Sequence, residues 1–111
     1  MNATDYTANL RDQRFVLFEQ IKVQDLCKLP KFQDFDKETF DAMLVEAAKI
    51  SENVMGPING PGDKEGCSWD PETKAVTTPA GVKDMWKKFT EAGFQASGGD
   101  PEYGGMGLPP V

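Results

Sequence analysis

The stretch between Asp36 and Gly56 constrains the chain more than any other. Its apolar residues Phe40, Met43, Leu44, Ala47, Ala48, Ile50, Val54 and Met55 recur at three-four spacing, which gathers them on one face of a helix. Asp36 is a good N-cap, because its carboxylate accepts from the free amides of the first turn. Phe35 before it and Phe40 at the fourth helical position match a hydrophobic staple. At the other end Gly56 suits a left-handed cap and Pro57 opposes continuation. The pattern predicts a helix over about 37–55.

A second helix is predicted over about 79–92. Thr78 is its expected cap, Pro79 takes the first position, where a missing amide does no harm, and Gly93 ends it. Val82, Met85, Trp86 and Phe89 form its apolar stripe, and Trp86 and Phe89 are expected in the core before any role as ligand platforms. Phe94 lies five residues past Phe89, a spacing whose contact closes many glycine-capped helix ends. The segment from Leu10 to Leu29 is less regular. Its run Phe15-Val16-Leu17-Phe18 does not by itself distinguish helix from strand, and short helices near Arg11–Gln20 and Gln24–Leu29 are the preferred reading, the latter stopped by Pro30.

Between the two long helices, Cys67-Ser68-Trp69 and Lys74-Ala75-Val76 flank Asp70-Pro71-Glu72-Thr73, where Asp then Pro favours a type I turn. A short β-hairpin near 67–77 follows, of a kind that is marginal alone. The fold class is mainly α, without internal repeats or coiled-coil heptads.

One domain fits 111 residues, with an apolar share of 39% and seven Phe. Most of the 11 glycines and 8 prolines lie beyond Met55, so a compact first half precedes a loop-rich second half. Twelve basic against eighteen acidic residues leave a net charge of −6, which disfavours nucleic acid and anionic membranes. The polar start, Met1 to Tyr6, lacks a secretory signal, and no segment approaches the roughly 20 apolar residues of a membrane span. Cys27 and Cys67 lack CxxC spacing and are expected as free buried thiols of a cytoplasmic protein.

No catalytic, cofactor-binding or metal-ligating residue emerges. With no histidine, zinc sites of the usual kind are excluded, and no nucleophile has a base beside it. Asp63, Glu65 and Asp70 lack the alternating ligands of an EF-hand and read as a solvated acidic loop. Glu46 with Lys49, and Asp41 with Glu38, sit at helical spacing on the expected wet face. The cluster Tyr103-Gly104-Gly105-Met106-Gly107-Leu108-Pro109-Pro110 fits neither the dinucleotide nor the P-loop pattern. It reads as a tight turn admitting another chain segment.

Taken in order, several stretches resemble a known family. They are Thr78-Pro79-Ala80-Gly81-Val82-Lys83 through Ala92-Gly93-Phe94, then Asp100-Pro101-Glu102-Tyr103-Gly104-Gly105-Met106-Gly107-Leu108-Pro109. This succession resembles the N-terminal helical domain of acyl-CoA dehydrogenases. Leu10 through Leu17 resembles the N-terminal extension of their larger subgroup, which includes enzymes resembling 3-methylmercaptopropionyl-CoA dehydrogenase. Gly56-Pro57-Ile58-Asn59 and Gly62-Asp63-Lys64-Glu65-Gly66 match as well. The resemblance implies an extension over 1–33 and the start of the helical domain over 34–111, truncated at its C-terminal end, since Gly107 to Val111 reads as a mid-protein turn.

Family members use FAD to remove two hydrogens from an acyl-CoA thioester, a carboxylate base taking the α proton. The resemblance places flavin site and base in later domains, so none of their residues falls on this chain. It implies a non-catalytic part whose partners are the remaining domains of the same polypeptide, FAD and the acyl-CoA substrate belonging to the full-length, homo-oligomeric protein. The alternative is a stand-alone acidic helical module that binds a partner protein.

Overall fold

The computed structural model describes residues 6–111; the polar start read above as free of a signal lies, for residues 1–5, outside the described residues. The architecture is mainly α with one two-stranded antiparallel ribbon. Helix α1 (Leu10–Arg14) is capped by Asn9, whose side chain accepts from the Asp12 amide at 3.1 Å, and it runs on as a π-helical stretch, Phe15–Gln20. The ambiguous Phe15–Phe18 run is thus helical. Lys22, at φ 57°, turns the chain into a 3-10 helix, Val23–Lys28. Leu29 is extended before Pro30, as a residue preceding proline tends to be.

Helix α2 (Lys37–Ile50) begins as its sequence dictates. The Asp36 carboxylate accepts from the Thr39 amide and hydroxyl, both at 2.7 Å. The rings of Phe35 and Phe40 stack at 5.9 Å. The predicted stop at Gly56-Pro57 is corrected. α2 widens into a π-helical stretch, Ser51–Met55, then continues as α3 (Gly56–Glu65) with Gly56 in right-handed helical geometry. The widened turn suits Pro57, which has no amide to give and whose ring would clash with a carbonyl four residues back. The end comes ten residues later, at Gly66, with φ 69°.

Strands β1 (Ser68–Trp69) and β2 (Val76–Thr77) pair with Trp69 opposite Val76. Between them the Asp70 carboxylate accepts from the amides of Glu72 and Thr73 at 2.8 and 3.2 Å. Helix α4 (Val82–Glu91) starts three residues later than the expected 79. Gly81, at φ 85°, is its N-terminal boundary, and a turn from the Val82 amide to the Pro79 carbonyl precedes it. Thr78 does not cap, and its hydroxyl has no partner. At the far end Gly93 takes φ 82° and Phe94 stacks on Phe89 at 6.4 Å, as the spacing implied.

The core is small and sits at one end of the molecule. Phe18, Val23 and Phe40 are buried together, flanked by half-buried Leu17, Leu26, Cys27, Phe35, Leu44 and Leu108. Val23 is fully enclosed. Helix α4 buries no residue. The outcome is an open shape, 56 × 39 × 18 Å with a radius of gyration of 17.6 Å. A compact chain of this length has about 13 Å.

Candidate functional site

The glycine-rich segment is the first place to look for an anion cradle, and its amides are already engaged. Those of Gly105, Met106, Gly107 and Leu108 donate to the carbonyls of Asp100, Ala96, Gly99 and Ser97 at 2.9–3.1 Å. Gly104 donates to Pro101. A phosphate needs several free amides aimed at one point, so these residues do not fit the pyrophosphate of a dinucleotide such as FAD. They instead carry the chain's last segment back across its own backbone. A Cβ at Gly105 would lie 2.1 Å from Gly99 backbone atoms, so the crossing requires glycine. Leu108 is thereby delivered to the core and Pro109 buried.

The acidic residues scatter. Asp63 and Glu65 ride on α3, and the Glu65 carboxylate accepts from the Ala80 amide at 3.0 Å. The Asp70 carboxyl is held below its ordinary range by the Glu72 and Thr73 amides. Among the described residues no group of three potential ligands converges on a metal position. Both cysteines are free thiols, Cys27 half-buried and Cys67 exposed, which corrects the expectation that both are buried.

Sequence reasoning placed Asp41 on the wet face with Glu38 and missed its partner. Arg14 grips Asp41 through two hydrogen bonds, Nε to Oδ1 at 2.5 Å and Nη2 to Oδ2 at 3.1 Å, joining α1 to α2. The guanidinium lowers the Asp41 carboxyl, and the carboxylate raises Arg14. The Lys37 ammonium lies 5.1 Å from the centroid of the Phe18 ring in the same corner. Twenty-seven residues separate Arg14 from Asp41, so no local spacing could reveal the pair. Glu46 and Lys49 do form the expected surface pair, at 3.1 Å.

The feature that remains is apolar surface. Trp86 is 55% exposed, against the expectation of a core position, and it contacts Phe89 at 5.8 Å between centroids. Trp69 and Val76, opposite each other on the ribbon, are 59% and 63% exposed. Open apolar grooves run between α3 and α4, lined by Met55, Ile58, Val82 and Met85, and along α2, lined by Phe35, Met43, Phe94 and Met106. The chain exposes 8073 Å² in all. A compact monomer of its 12.2 kDa exposes about 6,000 Å², so the chain is more open than a compact one of its mass.

No protein-family model matches the chain. It is 34% identical over 104 residues to a broad-specificity linear acyl-CoA dehydrogenase of Mycobacterium tuberculosis, covering 94% of the chain and 17% of that protein. It is 28% identical over 106 residues to 3-methylmercaptopropionyl-CoA dehydrogenase of Ruegeria pomeroyi, covering 96% of the chain and 18% of that protein. The resemblance to acyl-CoA dehydrogenases therefore holds over nearly the whole chain, which spans less than a fifth of the length of these relatives.

Proposed function

We propose that the chain is the N-terminal, non-catalytic helical part of a FAD-dependent acyl-CoA dehydrogenase. In this reading residues 1–33 are an extension that lends Phe18 and Val23 to the core shared with α2, and residues 34–111 begin the helical domain. The observation that carries the reading is the match of 94–96% of the chain to proteins more than five times its length. The open shape and the exposed Trp86, Trp69 and Val76 support it, because a piece that meets other domains exposes more apolar surface than a self-contained one.

Such a part contributes packing and enclosure. Its apolar grooves would meet later domains of the same polypeptide and help exclude water from the acyl substrate, and the whole protein would be a cytoplasmic homo-oligomer. Flavin would be held by residues outside this chain, since the amides of the glycine-rich turn are already bonded. Among the described residues no helix is long and apolar enough to cross a membrane.

Sequencing the coding region downstream of Val111 tests the reading. Continuation into a β-rich segment is expected, and the extended protein should purify yellow and reduce an electron-accepting dye only with an acyl-CoA present. A stop codon after Val111, with a folded monomeric product, would defeat it in favour of the free-standing interaction module.

A further inference from the structure

We infer that residues 56–92 form an arm that swings as a unit against the α1–α2 core, about two backbone joints. The arm is internally coherent. Ile58 of α3 sits where a Cβ on Gly81 would come within 2.9 Å of it, Gly62 lies against Pro79, and Glu65 binds the Ala80 amide. These contacts lock α3 to the start of α4 across the ribbon. The arm's main links to the rest of the molecule sit at its two ends, where α3 joins the Ser51–Met55 stretch and α4 meets the Phe94–Ala96 turn.

Both ends are weak points of the backbone. The first is π-helical and is followed at once by Gly56-Pro57, so the helical ladder lacks the amide of residue 57 where the turn is already widened. Kinks and hinges concentrate at such π-bulges and prolines. Pro61 removes a second amide one turn later, and three glycines in α3 lower its helical propensity further. The second joint is Gly93, at φ 82°, where one residue turns α4 toward the core. Joints of a few element-terminal residues that absorb the torsional change are how hinged bodies move. The stacked Phe89 and Phe94 rings straddle this joint and act as its latch.

The test uses the 111-residue chain with nitroxide labels on the exposed native Cys67 and on Glu38→Cys, in a Cys27→Ser background. Pulsed dipolar spectroscopy reads the distance between arm and core, and hydrogen exchange reads whether α4 stays folded. A broad distance distribution is expected, with protected α4 amides. Pro57→Ala restores the missing amide and should narrow the distribution. Phe89→Ala opens the latch and should broaden it. A single narrow distribution unchanged by either substitution would overturn the hinge. So would α4 amides that exchange as freely as an unfolded chain, since the arm would then be a disordered segment and no moving body.

Discussion

Arg14 and Asp41 face each other across the α1–α2 contact, Nε and Nη2 on one edge of the guanidinium donating to the two carboxylate oxygens at 2.5 and 3.1 Å. This geometry matches a planar donor fork to a planar acceptor and fixes orientation as well as charge. It also has a pH signature. The folded-state carboxyls of Asp41 and of the capping Asp36 lie below their ordinary value, the first through Arg14 and the second through Thr39. A depressed carboxyl contributes stability that is complete above its unfolded value of about 3.9 and is lost as pH falls through the folded one. Thermal midpoints should therefore drop on acidification below about pH 4. In Asp41→Asn that drop should be shallower, and melting curves that fall in parallel would remove Asp41 from the acid response.

Phe40 and Trp86 make a matched pair for the size and place of the core. Phe40 is 6% exposed among Phe18 and Val23, so Phe40→Ala should cost about 3–5 kcal/mol by urea unfolding. Trp86→Ala should cost less than about 1 kcal/mol in the same chain, because it removes mainly surface. Equal losses would mean that α4 is packed far more tightly than its exposure implies.

The backbone crossing gives a sharper contrast between two glycines. Gly105→Ala sets a methyl 2.1 Å from Gly99 and should destabilise by about 1–3 kcal/mol or more, loosening Leu108 from the core. Gly98→Ala meets no atom within 4 Å and should be close to neutral. Thermal melts of the two variants, with the Leu108 methyl resonances as a local probe, decide the matter.

Purified chain should be colourless, with no visible absorbance near flavin bands and no FAD released on denaturation. The glycine-rich turn has no amides left over for phosphate. A preparation that holds flavin through gel filtration would require a binding site elsewhere on the chain.

Local chemistry is legible where the deciding residues lie within about five residues of each other. Asp36, Thr39, Phe35 and Phe40 announce the start of α2, and Phe89 with Phe94 the end of α4. The ribbon follows from Asp70 and its turn. The structure departs from the sequence pattern where a breaker has two uses. Gly56-Pro57 looks like a stop, yet a π turn absorbs it, and Thr78 looks like a cap, yet Gly81 lies closer to the first full turn. The apolar stripe of α4 reads as core, yet Trp86 on it is 55% exposed, because periodicity shows which face is apolar and not what covers it. The Arg14–Asp41 clamp depends on tertiary distance alone. The glycine-rich turn reads as a close approach of chain segments, but no local pattern singles out Gly99 as the residue that Gly105 crosses.

The widened turn at Ser51–Met55 has one more effect, on the phase of the helix. Each residue advances an α-helix by about 100°, so an inserted residue rotates everything after it relative to a straight count. Phe40, Leu44 and Ala48 turn toward α1 and the core, whereas Ile58 and Gly62 turn toward Pro79 and Gly81. The two halves on either side of the widened turn thereby face different sides, which an unbroken 3.6-residue repeat would have placed along a different line. Deleting one residue within 51–55 would straighten the winding and turn α3, with the α4 start locked to it, to another side of the α1–α2 core.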